Sequence, residues 1–362
     1  MIGFDPDDEQ QLIIDTVRQF ASAQIRPRAR DCDEAGKLPE EVLSQAHELG
    51  LVANALPEDC GGSGARSAVT GCLVAEELAW GDLSIAVAVL SPALVAFPLL
   101  DCGSAAQRAE RLPRYAERRF RPGALAVVEP EFRRDAFRPA TEALRRGQDF
   151  ELSGRKCLVP WLEGDDVVVV SASCEGRAEL FLVPRDARGL AAARERNLGL
   201  QALPTAELEL RSVRVPASAR LAGESGSDLA ALVTRGRVAL SALGVGVARA
   251  AFELARDYAK QRETFGAPIA TRQSIAFKLA DMAIEIDAAR LLTWEAAWRL
   301  DQGLPALREA TLALQQVRRI ALEVCDGALQ VFGGHGYTRE YLPELLLRNA
   351  RGLAVCEALA LV

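Results

Sequence analysis

The apolar periodicity of this sequence changes twice along the chain, and that change constrains the fold more than any other feature. Up to about residue 120, apolar residues recur at helical spacing, as at Val17 and Phe20. From Pro122 to about Gly223 the apolar runs are short, alternate with polar residues and are separated by Gly, Asp and Pro. After Ser227 the helical period returns and persists. The chain should therefore form helices, then strands, then helices again.

This pattern predicts a mainly α protein with a middle β domain. We expect an N-terminal helical domain over residues 1–121, a β domain over 122–225 and a C-terminal helical domain over 226–362. Short strands without long helices between them favour an antiparallel barrel or sandwich over a doubly wound sheet. The last domain is predicted to be a four-helix bundle, with helices at Leu229–Arg262, at Gln273–Leu300, from Pro305 to Gly333-Gly334 and from about Tyr341 to the C-terminus.

One stretch, Leu83–Leu100, approaches the length of a membrane-spanning helix. Pro92 and Pro98 interrupt it, and Asp82 and Asp101 flank it without a positively charged loop. We therefore expect no membrane span but a buried core helix in two pieces. The N-terminus lacks the basic and apolar regions of a signal peptide. The scattered cysteines suggest reduced thiols, so we expect a cytoplasmic protein.

Charge and composition exclude several kinds of chemistry. A formal net charge of −7 provides no general attraction to nucleic acid or to an anionic membrane. The chain has only two histidines, and its eight cysteines are scattered without a CxxC pair. We therefore expect reduced thiols, no metal site and no Ser-His-Asp triad. Catalysis would then depend on a carboxylate or on a bound cofactor.

Two glycine corners end helices in the last domain. The first, RETFGAPI at Arg262–Ile269, has an arginine beside a tight turn, with Gln273 after it. The second, QVFGGHGY, covers Gln330–Tyr337. A guanidinium fork and exposed backbone N–H groups suit a phosphate. An ordinary helix cap with surface side chains explains the same residues without a ligand.

The sequence around these corners resembles the acyl-CoA dehydrogenase family. RETFGAPIATRQSIAFKLADM followed by QVFGGHGYTREY looks like the family's C-terminal domain. DEQQLIIDTVRQFA, PEDCGGSG and AEELAWGD resemble its N-terminal helical domain. VVEP and LPTAELELRSVRVPASARLAG resemble its middle β domain. The resemblance covers nearly all of the 362 residues, in the family's order.

This resemblance implies FAD as cofactor and a tetramer in which neighbouring subunits share each flavin. The residues that would contact the FAD pyrophosphate and adenosine across a subunit interface are Arg262, Phe265, Gln273, Gln330, Gly333 and Gly334. The tetramer is either a homotetramer or a heterotetramer with a related subunit. The implied substrate is an acyl-CoA, or an acyl thioester on a carrier protein, and the implied electron acceptor is an electron-transferring flavoprotein.

The general base implied by the resemblance is Glu357. In the family it is the glutamate of a Glu-Gly-Thr turn that follows an Arg-Asp-Ala segment, which RNA at residues 348–350 resembles. The base removes the α proton of the thioester while the β hydrogen leaves as hydride to flavin N5. The alternative is a solvated glutamate near the C-terminus. Some relatives carry the base one position before a helical arginine, and that position here is Gly236. Arg237 matches an arginine near the substrate, or is a helix-surface residue.

The segment that contacts the flavin departs from the family pattern. Thr-Glu-Pro followed by Gly-Ser-Asp becomes Val128-Glu129-Pro130 and then Arg133-Arg134-Asp135. By the resemblance, Val128 contacts the flavin without the usual hydroxyl. Arg134 puts bulk and charge where a small polar residue approaches the substrate and the cofactor.

Two further segments differ. Trp-Ile-Thr becomes Leu158-Val159-Pro160, so Pro160 replaces the threonine that bonds flavin N5, and Trp161 is the nearest aromatic replacement in sequence. The base turn reads Glu357-Ala358-Leu359, with three residues after it. We therefore expect the tail that completes the neighbouring cofactor site to be missing.

Three hypotheses follow. The first is a working acyl-CoA dehydrogenase, in which backbone groups or neighbours such as Trp161 replace the lost ring contacts. The second is a degenerate partner subunit of a heteromeric dehydrogenase. The third is a non-catalytic scaffold or binding protein. Flavin-dependent oxygenases share the fold, but a glutamate in the base register argues against them. Retention of Glu357 favours the first hypothesis over the third, whereas the lost ring contacts favour the second.

Overall fold

Helices form the first part of the chain. A computed structural model describes residues 5–64, 66–132, 135–222 and 227–362. The helices of this part are α1 Asp8–Phe20, α2 Ala29–Ala35, α3 Glu40–Glu48, α4 Ala68–Gly81, α5 Leu83–Leu90, α6 Ala93–Cys102, α7 Ala105–Arg111 and α8 Pro113–Ala116. Asp7 caps α1 in a capping box, because its side chain accepts a hydrogen bond from the Gln10 backbone N–H and the Gln10 side chain accepts one in return.

The apolar stretch Leu83–Cys102 is a pair of core helices. It and Leu229–Gln261 are long and apolar enough to cross a membrane by length and composition, but 94% and 78% of their apolar windows are buried inside the protein. The break lies at Ser91 and Pro92, between α5 and α6. The prediction of a buried helix in two pieces is confirmed.

Asp82 caps α5 from inside the core. Its side chain accepts a hydrogen bond from the Ile85 backbone N–H at 3.0 Å and one from Asn349 at 3.2 Å. Burial raises the pKa of its carboxyl from 3.8 to about 6, against the effect of the Ile85 hydrogen bond. Between about pH 4 and pH 6, the Asp82 carboxyl is therefore protonated in the folded protein and ionised in the unfolded chain.

This raised pKa predicts a pH-dependent effect of Asp82→Asn. Because folding raises the pKa, the carboxyl lowers stability progressively as pH rises through that window, and the full loss is present above pH 6. The stability of Asp82→Asn relative to wild type should therefore increase by on the order of 2 kcal/mol between pH 4 and pH 7. Urea unfolding at both pH values measures the difference. A difference that stays constant with pH would contradict the prediction.

The middle of the chain forms one seven-stranded sheet. Its strands are β1 Leu125–Ala126, β2 Glu142–Arg146, β3 Asp149–Pro160, β4 Val167–Cys174, β5 Arg177–Pro184, β6 Leu190–Arg194 and β7 Thr205–Pro216. Neighbours joined by short loops pair antiparallel, as expected, whereas β1 and β2 pair with β4 in parallel. The sheet is therefore mixed, not purely antiparallel. The antiparallel expectation was based on strands joined by short loops, and such hairpins join only antiparallel strands. It could not reveal the parallel pairs between strands that are distant in sequence.

The last part is the expected four-helix bundle. After α9 Leu229–Gln261 and the hairpin β8 Glu263–Thr264 and β9 Ala267–Pro268 come α10 Gln273–Asp301, α11 Leu307–Phe332, the short α12 Gly334–Tyr337 and α13 Pro343–Leu353. The fourth long helix was predicted to continue to the C-terminus, but it ends at Leu353. The backbone then turns at Ala358, whose φ of 52° is left-handed, and residues 359–362 are buried. A helix cannot continue through that conformation.

Buried ion pairs join the first helices to the bundle. Glu77 of α4 accepts two hydrogen bonds at 2.7 Å from Arg249 of α9 and two more from Arg18 of α1. Glu76 pairs in the same way with Arg290 of α10 at 2.9–3.2 Å. These pairs fix α4 against α9, the helix that carries Arg237.

Candidate active site

Glu357 lies in the turn after α13, between two arginines from different helices. Its Oε1 is 3.4 Å from Nη2 of Arg237 on α9 and 3.5 Å from Nη2 of Arg318 on α11. Its Oε2 is buried and has no hydrogen-bond partner among the described residues. The side chain is 15% exposed, so the alternative of a solvated glutamate does not describe it. One carboxylate oxygen is held, and the other is available to accept a proton.

These side chains open into a small cavity. Its volume is about 190 Å³, and its lining residues are Val127, Val128, Glu129, Asp135, Ala136, Arg237, Arg318 and Glu357. The segment Val127–Glu129 thus forms a wall of the cavity that also contains the carboxylate. This wall is the segment in which the sequence departs from the pattern of flavin contacts.

Two adjacent residues of α9, Gly236 and Arg237, lie against the turn that carries Glu357. Arg237 donates a hydrogen bond from Nη1 to the Thr311 hydroxyl at 2.7 Å, and its guanidinium carbon is 5.0 Å from the Phe137 ring centre. It is therefore a part of the site and not a helix-surface residue. A Cβ at Gly236 would lie 3.1 Å from the Ala358 Cα. A larger residue at position 236 would displace the turn that carries Glu357.

A buried ion pair supports the wall. Lys156 of β3 is 0% exposed and donates hydrogen bonds to Glu129 at 2.8 Å and to Ser171 at 3.0 Å. Burial lowers the pKa of the Lys156 ammonium to about 8, while Glu129 opposes that shift. Burial alone would raise the pKa of Glu129, but Lys156 and hydrogen bonds from Ala140 and Thr141 hold it below its usual range. The sequence did not single out this pair.

Val128 and Pro160, both predicted to contact the flavin, are buried but differ in position. Val128 lines the cavity, and its carbonyl accepts a hydrogen bond from the Cys157 N–H at 2.9 Å. Pro160 ends β3 opposite Thr205 and does not line this cavity. Arg134, the predicted substrate contact, lies outside the described residues.

Trp161, the nearest aromatic replacement in sequence for the shielding residue, packs partly against protein. The Arg185 guanidinium lies 3.7 Å from its ring centre, and the ring packs on the core inside the sheet. Its backbone N–H donates to Pro204. One face of the indole is therefore already covered by protein.

The first glycine corner is an exposed turn after α9. Phe265 and Gly266 both have left-handed φ angles, 53° and 76°, and Phe265 is 99% exposed. The Ile269 N–H closes the turn by donating to the Arg262 carbonyl at 2.8 Å. The Arg262 side chain is exposed and has no carboxylate partner among the described residues. Gln273 begins α10 and is also exposed.

The second corner lies beside the first, at the same end of the bundle. Tyr258 of α9 stacks on Phe332 of α11 with ring centres 4.0 Å apart, and its hydroxyl is 2.9 Å from His335 Nδ1. Gly333 has φ 57° and ψ −132°, a conformation that favours glycine. Gln330 and Gly334 are exposed beside it. The structure thus brings the two predicted corners together.

Arg318 is the site residue that sequence reasoning missed. It stands next to Arg319, whose guanidinium pairs with Glu285 and Glu323 on the outer face of the bundle. Two adjacent arginines in one helix look alike in sequence, and only their different neighbours in the fold separate them.

Two family models match this chain. They describe an acyl-CoA dehydrogenase N-terminal domain over residues 7–119 and an acyl-CoA dehydrogenase C-terminal domain over residues 228–357. The chain is 35% identical to the probable acyl-CoA dehydrogenase YngJ of Bacillus subtilis, with 98% of this chain and 96% of the relative covered. It is 36% identical to benzylmalonyl-CoA dehydrogenase of Aromatoleum aromaticum, with 97% and 94% covered.

Solved structures show the same fold. Butyryl-CoA dehydrogenase of Megasphaera elsdenii matches with a TM-score of 0.88 at 29% identity, covering 97% of this chain and 95% of that one. Glutaryl-CoA dehydrogenase of Mycobacterium smegmatis in complex with FADH2 matches with a TM-score of 0.88 at 30% identity, covering 97% and 91%. The predicted fold, with helical ends and a middle β domain, is confirmed.

Proposed function

This chain belongs to the acyl-CoA dehydrogenase family, and from that membership we propose that Glu357 is the general base of its reaction. The activity itself, dehydrogenation of an acyl-CoA with FAD as cofactor, follows from relatives and structural neighbours that match nearly the whole chain. The same relatives do not favour a degenerate partner subunit or a non-catalytic scaffold.

One observation carries the assignment of the base. Glu357 Oε2 is buried, lines the cavity and has no hydrogen-bond partner among the described residues. A buried carboxylate oxygen without a partner carries a desolvation cost, and a chemical role is one explanation for its retention. Abstraction of the α proton of a thioester is such a role, because the oxygen then accepts the proton.

The chain's own residues supply the proton transfer and the orientation. The α C–H bond breaks, its proton goes to Glu357 Oε2, and the electron pair forms the new Cα=Cβ bond. FAD, when bound, supplies the two-electron acceptor for the hydrogen that leaves Cβ. Arg237 holds the other oxygen, Oε1, at 3.4 Å.

The residues at the glycine corners fit the pyrophosphate of FAD. A Cβ added at Gly266, Gly333 or Gly334 would meet no atom within 4 Å, so a ligand can approach the backbone there. Arg262 offers an exposed guanidinium for a phosphate. We assign Arg262, Gln273, Gln330 and the corner glycines to the cofactor's phosphates and adenosine, together with the exposed ring of Phe265.

The corners and the base of one chain belong to different cofactors. Arg237 and Arg262 are 25 residues apart along α9, and an α-helix of that length covers about 37 Å. That span exceeds an extended flavin dinucleotide. A neighbouring subunit must therefore present its corners near Glu357, which supports an oligomer, and we propose a tetramer, either homomeric or mixed. Exposed Phe277, Ile284 and Leu291, spaced seven residues apart on α10, offer an apolar face for assembly.

We also propose an electron-transferring flavoprotein as the electron acceptor and a cytoplasmic location. Relatives named for benzylmalonyl-CoA and glutaryl-CoA support a CoA thioester as substrate over a carrier-protein thioester.

The flavin absorbance of the purified protein tests the proposed function. The protein should be yellow, and its flavin band should bleach on addition of at least one of butyryl-, isovaleryl-, octanoyl-, glutaryl- or 3-phenylpropanoyl-CoA. Bleaching shows that both the cofactor and the proton acceptor are in place. A yellow protein that none of these thioesters bleaches would contradict acyl-CoA dehydrogenation, and a colourless one would contradict FAD binding.

Arg262→Ala tests the assignment of the corner. We expect the flavin-to-protein ratio to fall at least about tenfold at equal protein concentration, since charge-assisted hydrogen bonds to a phosphate contribute about 1.5–3 kcal/mol each. Arg256→Ala is the matched control, because Arg256 lies near the same end of α9 but pairs with Asp257. Equal flavin contents in the two variants would remove Arg262 from the cofactor site.

A further inference from the structure

We propose that Arg318 is a positioning residue for Glu357, a role that rests on the proposed function of Glu357 as base. Arg318 reaches the base turn from α11, while Arg237 reaches it from α9. Together they hold Oε1 and leave Oε2 without a hydrogen-bond partner among the described residues. Arg318 acts through Glu357 and not on the substrate.

Two contacts of Arg318 with the base turn are made by one nitrogen. Its Nη2 donates a hydrogen bond to the Cys356 carbonyl and lies 3.5 Å from Glu357 Oε1. The same atom therefore binds the backbone just before the base and the carboxylate of the base. This arrangement fixes the side chain relative to its own backbone, which a single cation on the carboxylate would not do.

The base turn needs such support because its backbone is strained. Ala358 is not glycine, yet it has φ 52°, a left-handed conformation that costs an L residue about 1–2 kcal/mol. Helix α13 has already ended at Leu353, and the backbone hydrogen bonds after it continue to the Cys356 N–H, which donates to the Leu353 carbonyl at 3.2 Å. The turn is confined by Gly236 on one side, where a Cβ would be 3.1 Å from the Ala358 Cα. Arg318 fastens it from the other helix.

The other charged groups of the cavity are engaged elsewhere. Glu129 pairs with Lys156 at 2.8 Å. Asp135 accepts a hydrogen bond from the Phe137 N–H at 2.9 Å and lies 4.0 Å from Arg138. Arg237 and Arg318 are therefore the cations directed at Glu357 among the described lining residues.

The experiment compares Arg318→Met with Arg319→Met, its neighbour on the outer face. For Arg318→Met we expect the rate of flavin bleaching at saturating acyl-CoA to fall about 10- to 100-fold, as for a misplaced catalytic group. The probe is the thioester that bleaches the wild type fastest. The concentration for half-maximal rate and the flavin content should stay within about twofold of wild type, because transition-state and not ground-state contacts are lost. Arg319→Met should match the wild type.

A conservative variant separates positioning from packing. Because one nitrogen makes both contacts, the Lys ammonium can make them too, and Arg318→Lys should recover most of the lost rate. If Arg318→Met does not fold, Arg318→Gln against Arg318→Lys makes the same comparison.

Three results would overturn the inference. The first is that Arg318→Met changes neither the saturating rate nor the half-saturation concentration. The second is a raised half-saturation concentration with an unchanged saturating rate. The third is a loss of rate that is fully accounted for by a loss of bound flavin. The second would make Arg318 a contact for an anionic substrate group. An active Glu357→Gln would instead refute the proposed base, so the two failures are distinguishable.

Discussion

Glu357→Gln should lower the rate of substrate-induced flavin bleaching by about 100- to 10,000-fold, the range expected when a general base is lost. The amide has nearly the shape of the carboxylate, so the cavity beside Val128 is preserved. A glutamine oxygen or nitrogen at the position of Oε2 cannot accept the α proton at neutral pH. Stopped-flow absorbance at the flavin band measures the effect, with the thioester that bleaches the wild type fastest.

The flavin content of this variant should remain that of the wild type, because the assigned phosphate contacts come from the corner residues and not from Glu357. Glu323→Gln is a matched control: Glu323 lies on the outer face of α11, where it pairs with Arg319. It should bleach at the wild-type rate. Normal turnover by Glu357→Gln would remove Glu357 from the mechanism.

Lys156→Met should destabilise the protein by about 3–5 kcal/mol, the usual effect of removing one partner of a buried ion pair. The substitution leaves the Glu129 carboxylate, which is 6% exposed, without its counter-ion inside the sheet. Hydrogen bonds from Ala140 and Thr141 remain, but they do not neutralise the charge. The midpoint of urea unfolding at pH 7 measures the loss.

Arg155→Met is the matched control, since Arg155 precedes Lys156 on the same strand but points to solvent, where it pairs with Glu207. Its unfolding midpoint should equal that of the wild type within error. The double variant Glu129→Gln with Lys156→Met should lose less stability than the two single variants added together, because the two groups interact directly. Strict additivity would show that the pair is not coupled.

The long helices were predictable because their information is local. Leu229–Arg262 was expected, and Leu229–Gln261 is observed; Gln273–Leu300 was expected, and Gln273–Asp301 is observed. A helix that packs one face on a core repeats its apolar residues every three or four positions, whatever it packs against. The two-piece helix expected over Leu83–Leu100 was predictable from Pro92, whereas Pro98, also expected to interrupt the stretch, lies inside α6.

The pairing of the strands in the sheet was not predictable from this local information. Leu125 pairs with Val169 and Ala126 with Val170, in parallel and more than forty residues apart. Alternation of apolar and polar residues indicates a strand but does not name its partner. The end of α13 at Leu353 was missed for a related reason. The left-handed turn at Ala358 is held by its contact with Gly236 of α9, which is distant in sequence.

The residues of the candidate site also fall into two groups, those that the sequence indicated and those that only the fold revealed. Resemblance named Glu357 and Arg237, and the fold places them 3.4 Å apart. It also named the two glycine corners, which Tyr258 joins at one end of the bundle. No pattern in the chain indicated Arg318 or Lys156. The sequence does not distinguish an arginine that faces Glu357, such as Arg318, from one on the outer face of the bundle, such as Arg319.

The linear chain was sufficient for the kinds of helix and strand and for the order of the three regions, since these depend on residue types at short spacing. Its resemblance to the acyl-CoA dehydrogenases indicated the family, the cofactor and the candidate base. Folding was needed to show that Glu357 meets α9 at Arg237, far from the phosphate corner at Arg262, that two arginines hold one oxygen of Glu357 and that a buried lysine supports the cavity wall. These features depend on contacts between residues remote in sequence, and their energies come from burial and distance.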